Sequence, residues 1–335
     1  MTRAVIRGLE VPDPVLESAI RGRLNEVESS LEKYARSDTD FVTEAASYLL
    51  AAGGKRFRPM LVLLSGYFGD PEDPRLIQGA TAIELTHLAT LYHDDVIDEG
   101  DERRGRPSVN ARWDNTVAIL AGDFLFARAS EISADLGAEV TRLLARTIAT
   151  VCDGEIREVE ISGHIDHGQD AYMEIIRRKT ASLIATSCRL GGMLSDATPE
   201  VTDRLEDFGM ALGLAFQLSD DIMDVTSTEA ELGKEPGVDM KLGVYTLPVL
   251  YAVQDGGRGQ ELAALLSEGP PSGERLSRAL EIVRQEGSLA LARDAVTREF
   301  RRAKRLAEGL PPDPVRDALI HIAEFTAVRC GADAD

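Results

Sequence analysis

Cysteine is scarce: the 335 residues contain three, Cys152, Cys188 and Cys330, widely spaced and in no CxxC or CxxH pattern. That argues against a disulfide framework and for a reduced, cytoplasmic setting. Aromatic residues are also few, 5% with a single tryptophan, while Ala, Leu, Glu and Arg recur throughout. The balance favours helices packed on helices over a sheet-rich architecture. Positive charge is in deficit, 37 Lys and Arg against 57 Asp and Glu. A net charge of -20 repels nucleic acid and anionic membrane surfaces as general partners. No segment offers the roughly 20 uninterrupted apolar residues of a membrane span, and the opening "MTRAVIRGLEVPDP" lacks the apolar core of a signal peptide. Neither export nor membrane insertion is expected. Hydrophobic residues make up 44% of the chain, which suffices for a large core. With no break in composition, the expectation is a single all-α domain over residues 1–335.

Apolar residues recur at three- and four-residue spacing in "LESAIRGRLNEVESSLEKYA", "VTEAASYLLAA" and "PMLVLLSGYFG", which read as the first helices. From Pro74 to about Asp98 the pattern predicts a long buried helix with Pro74 in its first turn. Further single helices are expected over "NARWDNTVAILAGDFLFARASEIS", "EVTRLLARTIATVCDGEIREVEIS", "QDAYMEIIRRKTASLIATSCRLGGML" and "TPEVTDRLEDFGMALGLAFQLSDDIMD". Amphipathic helices such as "TLPVLYAVQ", "RLSRALEIVRQEG" and "LALARDAVTREFRRAKRLAEGL" follow, and the closing "GADAD" should fray. Loops are expected at "EGDERRGRPS", "TSTEAELGKEPGVDMKLG" and "SEGPPSGE". The first two directly follow acidic clusters.

Those clusters are "DDVID" (Asp94, Asp95, Asp98) and "DDIMD" (Asp220, Asp221, Asp224), each ending an apolar helical segment. Residues four apart share a helix face, so Asp94 pairs with Asp98 and Asp220 with Asp224. Each carboxylate at a helix C-terminus opposes the macrodipole by about 0.3–1 kcal/mol, and like charges at i, i+4 repel further. One such cluster is readily a solvated helix end; two call for another cause. A divalent cation turns the repulsion into shared coordination, and oxygen-only ligands suit Mg²⁺. Magnesium held this way completes its shell with water and phosphate oxygens, so the natural ligand is a phosphate ester or diphosphate. A calcium EF-hand would need alternating ligands and a central glycine, which neither cluster has. "ELTH" (Glu84 to His87) matches half of a di-iron carboxylate site, but no other histidine follows a glutamate at that spacing.

Against the acidic background, local basic clusters are informative. "GGKRFRP" supplies Lys55, Arg56 and Arg58 beside two glycines that permit close backbone approach to an anion. "RRGRP" places Arg103 and Arg104 just past the first aspartates. Lys179 in "RRKTAS" and Lys234 in "LGKEPG" are further candidates. Any one of these alone is as readily a solvated side chain; together they surround the acidic motifs in sequence.

"GGKRFRP", "LYHDDVIDEGDERRGRP", "AGDFLFARA", "RKTASL", "FQLSDDIMD", "GKEPGVD" and "TLP", in this order, resemble the trans-isoprenyl diphosphate synthases, in particular the long-chain members. The resemblance runs from about Gly53 to Pro248. It implies an all-α isoprenoid synthase-type helical bundle around a deep central cavity, with the aspartate motifs facing each other at its mouth, usually in a homodimer. It implies that Asp94, Asp98 and Asp220 are direct ligands of three Mg²⁺ ions holding an allylic diphosphate, with Asp95, Asp221 and Asp224 supporting them or binding through water. Arg103, Lys179 and Lys234 would contact the same diphosphate, with Thr180 and Gln217 nearby. Lys55, Arg58, His87 and Arg104 would hold isopentenyl diphosphate. The family often has a lysine two residues before the threonine of "TLP"; here that position is Val244, so this contact is missing or supplied by Lys241.

The implied chemistry is ionisation of the allylic C–O bond, attack by the alkene of isopentenyl diphosphate, and loss of a proton to the departing diphosphate. No protein nucleophile is required, in keeping with the lack of a Ser-His-Asp or Cys-His signature. Water would quench the cation, and the loops after both motifs are natural lids. The growing chain needs apolar room. Thr90 and Ala89 stand roughly 6–8 Å deeper than Asp94 on its helix at 1.5 Å per residue, and Thr86 and Ala82 continue the stripe. Short-product members often carry an aromatic residue at the first of these depths and a two-residue insertion in the first motif; both features are absent here. A long product is therefore expected, with geranylgeranyl or farnesyl diphosphate as the shorter alternative. The same small residues would also serve close helix packing, and Ile148 or Val151 on a neighbouring helix could close the tunnel. A class I terpene cyclase would carry an Asn/Asp-Ser/Thr-Glu second motif, and a non-catalytic partner subunit typically loses part of an aspartate motif. Neither departure occurs here.

Overall fold

The structure, a computed structural model, describes residues 12–227 and 235–333. It is 77% helical, and its only strands among the described residues are two of two residues each, so the all-α expectation holds. The chain forms two compact units. The first comprises Met1–Ile148, Leu183–Glu206 and Ala307–His321, the second Ala149–Ser182, Asp207–Leu306 and Ile322–Asp335.

In the first unit, α1 (Pro14–Tyr34) starts at Asp13, whose carboxylate accepts from the amides of Val15 and Leu16. After α2 (Asp40–Ala51) and α3 (Phe57–Gly66) comes α4 (Arg75–Ile97), which is buried on nearly every face, from Leu76 through Tyr92 to Asp95. A helix apolar all round must be surrounded, and α4 packs against α1, α3, α5 (Val109–Arg112) and α6 (Asn115–Asp135). Pro74 caps α4 from outside its first turn. The single helix expected from Asn110 onwards is two, because Asp114 leaves the helical conformation and its side chain accepts from the Val117 amide, 2.9 Å away, as the N-cap of α6. Small residues bring the helices close. A Cβ on Gly122 of α6 would collide with the His93 ring of α4.

Between α4 and α5, β1 (Glu102–Arg103) pairs antiparallel with β2 (Arg106–Pro107). Their two-residue loop, Arg104 and Gly105, has φ of 56° and 71°, the positive pair that a tight hairpin requires. Tyr48 of α2 holds this hairpin: its hydroxyl donates to the Pro107 carbonyl at 3.0 Å, and the guanidinium of Arg106 lies over its ring. A segment expected to be plain loop is thus a fixed structure directly behind the first aspartates.

After α7 (Ala138–Ile161) and α8 (Gly168–Ile176) the chain widens into a π turn over Arg177–Ala181 before α9 (Ser182–Leu194). The helix expected through this stretch is therefore continuous in course but carries a bulge at the "RKTA" motif, a placement common at functional sites. Two glycines make room for it in the second unit. A Cβ on Gly154 would stand 2.7 Å from the Lys179 amide nitrogen, and one on Gly213 would stand 2.6 Å from the Ala181 Cα. Helix α10 (Pro199–Thr226) carries the second aspartate motif at its end. The short α11 (Val238–Lys241) interrupts the expected loop, and α12 (Leu247–Val253), α13 (Gly256–Ser267) and α14 (Gly273–Val283) pack on one another. Helices α15 (Glu286–Glu308) and α16 (Pro314–Val328) complete the chain.

Gly191 of α9 meets the Val62 carbonyl and Ser65 of α3 without space for a methyl group. Gly191→Ala should therefore lower stability by about 1–3 kcal/mol through overpacking. Gly22→Ala, on the exposed side of α1 with no atom within 4 Å, should raise it by about 0.5–1 kcal/mol. Urea midpoints measure both; equal midpoints for the two variants would contradict this packing.

Candidate active site

The C-terminal end of α4 carries three aspartates in three different environments. Asp95 is 1% exposed, and its Oδ1 accepts from Arg103 Nε at 2.6 Å, while its Oδ2 is buried without a hydrogen-bond partner. Burial pushes its pKa up, and the Arg103 charge works in the opposite direction. Asp94 is half-buried and Asp98 exposed, one turn apart on the same face, with the Asp98 amide donating to the Asp94 carbonyl at 2.8 Å. One aspartate is thus anchored by the hairpin, and the other two are presented together.

The basic residues beside them divide into structural and presented groups. Arg56 has a left-handed backbone, φ 48°, that turns its side chain inward. There Nη1 donates to Glu84 at 2.9 Å, and Nε and Nη2 both donate to Glu28. Glu84 is occupied by this ion pair, which accounts for it without iron. Lys55 is exposed, and Arg58 is partly exposed with a buried Nε that has no partner. Arg104 donates to the carbonyls of Leu49 and Gly53, so it secures the "GG" turn as well as carrying charge. Burial first, and then the charges of Arg58, Arg104, Arg103 and Arg56, hold the His87 pKa well below the usual histidine range. A neutral imidazole in the field of four guanidinium charges has the chemistry to donate an N–H bond to an anion.

In the second unit the end of α10 repeats the division. Asp221 is buried and accepts from the Tyr172 hydroxyl and from Gln217 Nε2 at 2.9 Å, and Gln217 in turn accepts from Thr180 at 2.9 Å. Burial, then the charges of Asp239, Asp224 and Glu158, push the Asp221 pKa well up. Asp224 is 4% exposed and accepts backbone N–H bonds from Gly237 to its carbonyl and from Asp239 to its carboxylate. Asp220 is the least buried member, paired at 2.6 Å with Arg329. Lys179, on the π turn, donates to both oxygens of Glu155 at 2.9 and 3.1 Å and to Glu158. The ammonium is thus held between two carboxylates, which raise its pKa against burial. Lys234 lies outside the described residues. Val244 has its amide on the Asp239 carbonyl at 2.8 Å, and Lys241 pairs with Glu235 at 2.9 Å within its own loop.

Of the chain-length candidates, Ala82, Thr86 and Ala89 are buried and Thr90 is half-buried. Thr86 lines a cavity of about 270 Å³ in the first unit with Ala129, Ser133, Leu144 and Ile148. The Thr86 hydroxyl donates to the Ala82 carbonyl at 2.8 Å and that of Ser133 to the Ser130 carbonyl at 2.8 Å. With hydroxyls satisfied on their own helices, the cavity presents a mainly apolar wall. Of the two residues named as able to close a tunnel, Ile148 lines this cavity and Val151 is not among its lining residues.

The donors available for a metal are all carboxylate oxygens. The orphaned Asp95 Oδ2 and the Asp94–Asp98 pair fit a hard cation that takes few protein ligands. Among the described residues, no three or more acidic, histidine or cysteine side chains already form a metal cage. Sequence reasoning missed Tyr172, Glu155, Glu158 and Arg329, which touch the expected site residues directly. For the two glutamates a signal existed: their three-residue spacing puts both on one face of α7.

Residues 39–283 match the model of the polyprenyl synthetase family. The chain is 40% identical to a nonaprenyl diphosphate synthase of Mycobacterium tuberculosis, over 98% of each protein. Among solved structures, it resembles a geranylgeranyl pyrophosphate synthase of Corynebacterium glutamicum complexed with calcium and isoprenyl diphosphate, at 41% identity and a TM-score of 0.86 over 96% of this chain and 99% of that one. A polyprenyl synthase of Caulobacter crescentus, also complexed with calcium and isoprenyl diphosphate, gives a TM-score of 0.88 at 31% identity over 92% and 95%.

The division of the basic residues predicts opposite phenotypes for neighbours. Arg56→Met leaves Glu84 buried without its partner and should cost about 3–5 kcal/mol of stability. Lys55→Ala removes an exposed side chain and should change stability by no more than about 0.5 kcal/mol. Chemical denaturation would reveal the reverse order if the assignment were wrong.

Proposed function

The chain belongs to the polyprenyl synthetase family, and we propose that it joins isopentenyl diphosphate head to tail with an allylic diphosphate to make a long-chain trans-polyprenyl diphosphate. The observation that carries this reading is α4 itself, which presents the half-buried Asp94 and exposed Asp98 at its end and, two turns earlier, His87, whose pKa is held down by burial and then by four arginine charges. Such a site can receive a diphosphate through a cation and a second diphosphate through arginine.

Asp94, Asp98 and Asp220 would hold Mg²⁺, three ions in the family's arrangement, while Asp95, Asp221 and Asp224 fix the helix ends that present them. When bound, Mg²⁺ supplies neutralisation of the charge that builds on the leaving diphosphate. Arg103, Lys179 and Lys234, with Thr180 and Gln217, receive the allylic diphosphate. For Lys179 this means exchanging a carboxylate of Glu155 or Glu158 for a phosphate oxygen. Lys55, Arg58 and Arg104 hold isopentenyl diphosphate, and His87, kept neutral by its surroundings, donates an N–H bond to it. The allylic C–O bond breaks with its electron pair leaving on diphosphate. The alkene of isopentenyl diphosphate then forms the new C–C bond, and a proton leaves to the departing diphosphate. The cationic side chains act on charge that develops only as the bond breaks, so they stabilise the transition state over the ground state.

The cavity beside Thr86 and the nonaprenyl-synthase relative support a long product. The geranylgeranyl-synthase relative, equally similar, favours the shorter alternative. The reading includes a single catalytic domain, a cytoplasmic setting and a homodimer. For the dimer, α6 exposes Ile119 and Leu120, the latter by 60%. No helix of the described residues is long and apolar enough to cross a membrane.

Purified protein given labelled isopentenyl diphosphate, each allylic primer and Mg²⁺ should incorporate label into products longer than geranylgeranyl diphosphate. No incorporation with any primer would favour a cyclase or a partner subunit. Thr86→Phe, which projects a ring into the cavity, and Ala89→Phe, closer to the aspartates, should each shorten the product. An unchanged product ladder for both would refute the tunnel. Asp94→Ala should reduce turnover by about 100-fold or more, as loss of one electrostatic contact at a reacting centre does.

A further inference from the structure

We propose that Arg329 is a positioning residue for Asp220, setting the orientation in which that carboxylate receives the cation-bound diphosphate. The inference deepens the functional reading above and rests on Asp220 as a cation ligand. It was not visible in sequence, since 109 positions separate the two residues.

The geometry of one side chain carries it. Arg329 follows the last residue of α16, and its guanidinium meets α10 at four points. Nε donates to Ser219 Oγ at 2.9 Å, and Nη2 donates to the Phe216 carbonyl at 2.9 Å. Nη2 also pairs with Asp220 Oδ1 at 2.6 Å. The guanidinium carbon lies 4.4 Å from the centre of the Phe216 ring. Stacking fixes the plane of the guanidinium, and the bonds to Ser219 and Phe216 fix its rotation within that plane. The remaining contact therefore holds a preset positive charge against one oxygen of Asp220, and holding one carboxylate oxygen biases where the other points.

Two further facts distinguish positioning from mere docking of α16. Asp220 is the one aspartate of its motif with substantial exposure: its side chain is 42% exposed, while Asp221 and Asp224 are 1% and 4% exposed as residues. Those two are already tied, Asp221 by Tyr172 and Gln217 and Asp224 by backbone amides. Asp220 is the member left to meet a ligand, and Arg329, itself 13% exposed, is a side chain that restrains it. Second, the contacts to Ser219 and Phe216 would suffice to dock α16. The short ion pair to Asp220 adds the charge that the C-terminal end of α10 needs.

The test uses the full chain and inorganic diphosphate, titrated calorimetrically with and without Mg²⁺, on wild type, Arg329→Gln, Arg329→Lys and Ser219→Ala. Removing a residue that orients a metal ligand typically costs 10–100-fold in affinity. Arg329→Gln should therefore weaken Mg²⁺-dependent diphosphate binding about 10–100-fold, and raise KM for the allylic substrate more than it lowers kcat. Arg329→Lys keeps the charge but neither the fork nor the stacking and should recover part of the loss. Ser219→Ala loosens the guanidinium but leaves its charge beside Asp220, and should lose part of the diphosphate affinity, less than Arg329→Gln does. Wild-type affinity in Arg329→Gln would reduce Arg329 to an anchor, and tighter binding would make it a competitor of the cation; either overturns the inference. Should Arg329→Gln fail to fold, Arg329→Lys decides, with a several-fold loss expected and wild-type affinity contradicting. Absence of Mg²⁺-dependent binding in the wild type would instead strike the functional reading itself, and the inference with it.

Discussion

Carboxylates gathered at the C-terminal ends of two helices are the constraint around which both units are organised. Each opposes its helix dipole and repels its neighbours, and each end carries a different counterweight. On α4 it is the hairpin, which brings Arg103 to Asp95. On α10 it is Tyr172 and Gln217 on the buried Asp221, and Arg329 on Asp220. In both clusters one aspartate is sunk and restrained and another is left toward solvent. The sunk one fixes the helix end; the other can act.

The same economy shows among the cations. Arg56, Arg58, Arg103 and Arg104 are similar letters in two short motifs, yet they hold different positions. Arg56 is buried between Glu28 and Glu84, and Arg104 fastens backbone carbonyls of α2 and the following turn. Their charges still reach His87 and, after burial, help to hold its pKa down. A buried guanidinium can therefore shape an anion site without touching the anion. Lys179 shows the reverse case, a residue expected to meet substrate that is paired instead with Glu155 and Glu158.

Much of this was legible in sequence because it is local. The i, i+4 spacing of Asp94 and Asp98, the apolar run of α4 and the turn residues around "RRGRP" depend on neighbours along the chain. What was not legible depends on partners far away or on backbone states that residue type barely signals. The left-handed Arg56 faces inward because Glu28 and Glu84 wait there. The π turn at Arg177–Ala181 exists in company with Gly154 and Gly213, which are distant in sequence and look like ordinary helix glycines. Helix α13 begins in "GGRG", a string of poor helix formers that carries no helical signal of its own. The capping carboxylate of Asp114 splits one expected helix into two although an N-cap signal was present, because the apolar pattern runs through it.

The central claim is that these aspartates are kept at a cost to the fold because a cation and a diphosphate require them. It is tested most directly at Asp98, exposed at the end of α4. With metal removed by a chelator, Asp98→Asn should raise unfolding free energy by about 0.3–1 kcal/mol, since a charge opposing the dipole is lost, and the same variant should lose most of its isopentenyl transfer when Mg²⁺ is restored. A variant that is less stable than wild type without metal, or that keeps full activity with it, would contradict the account.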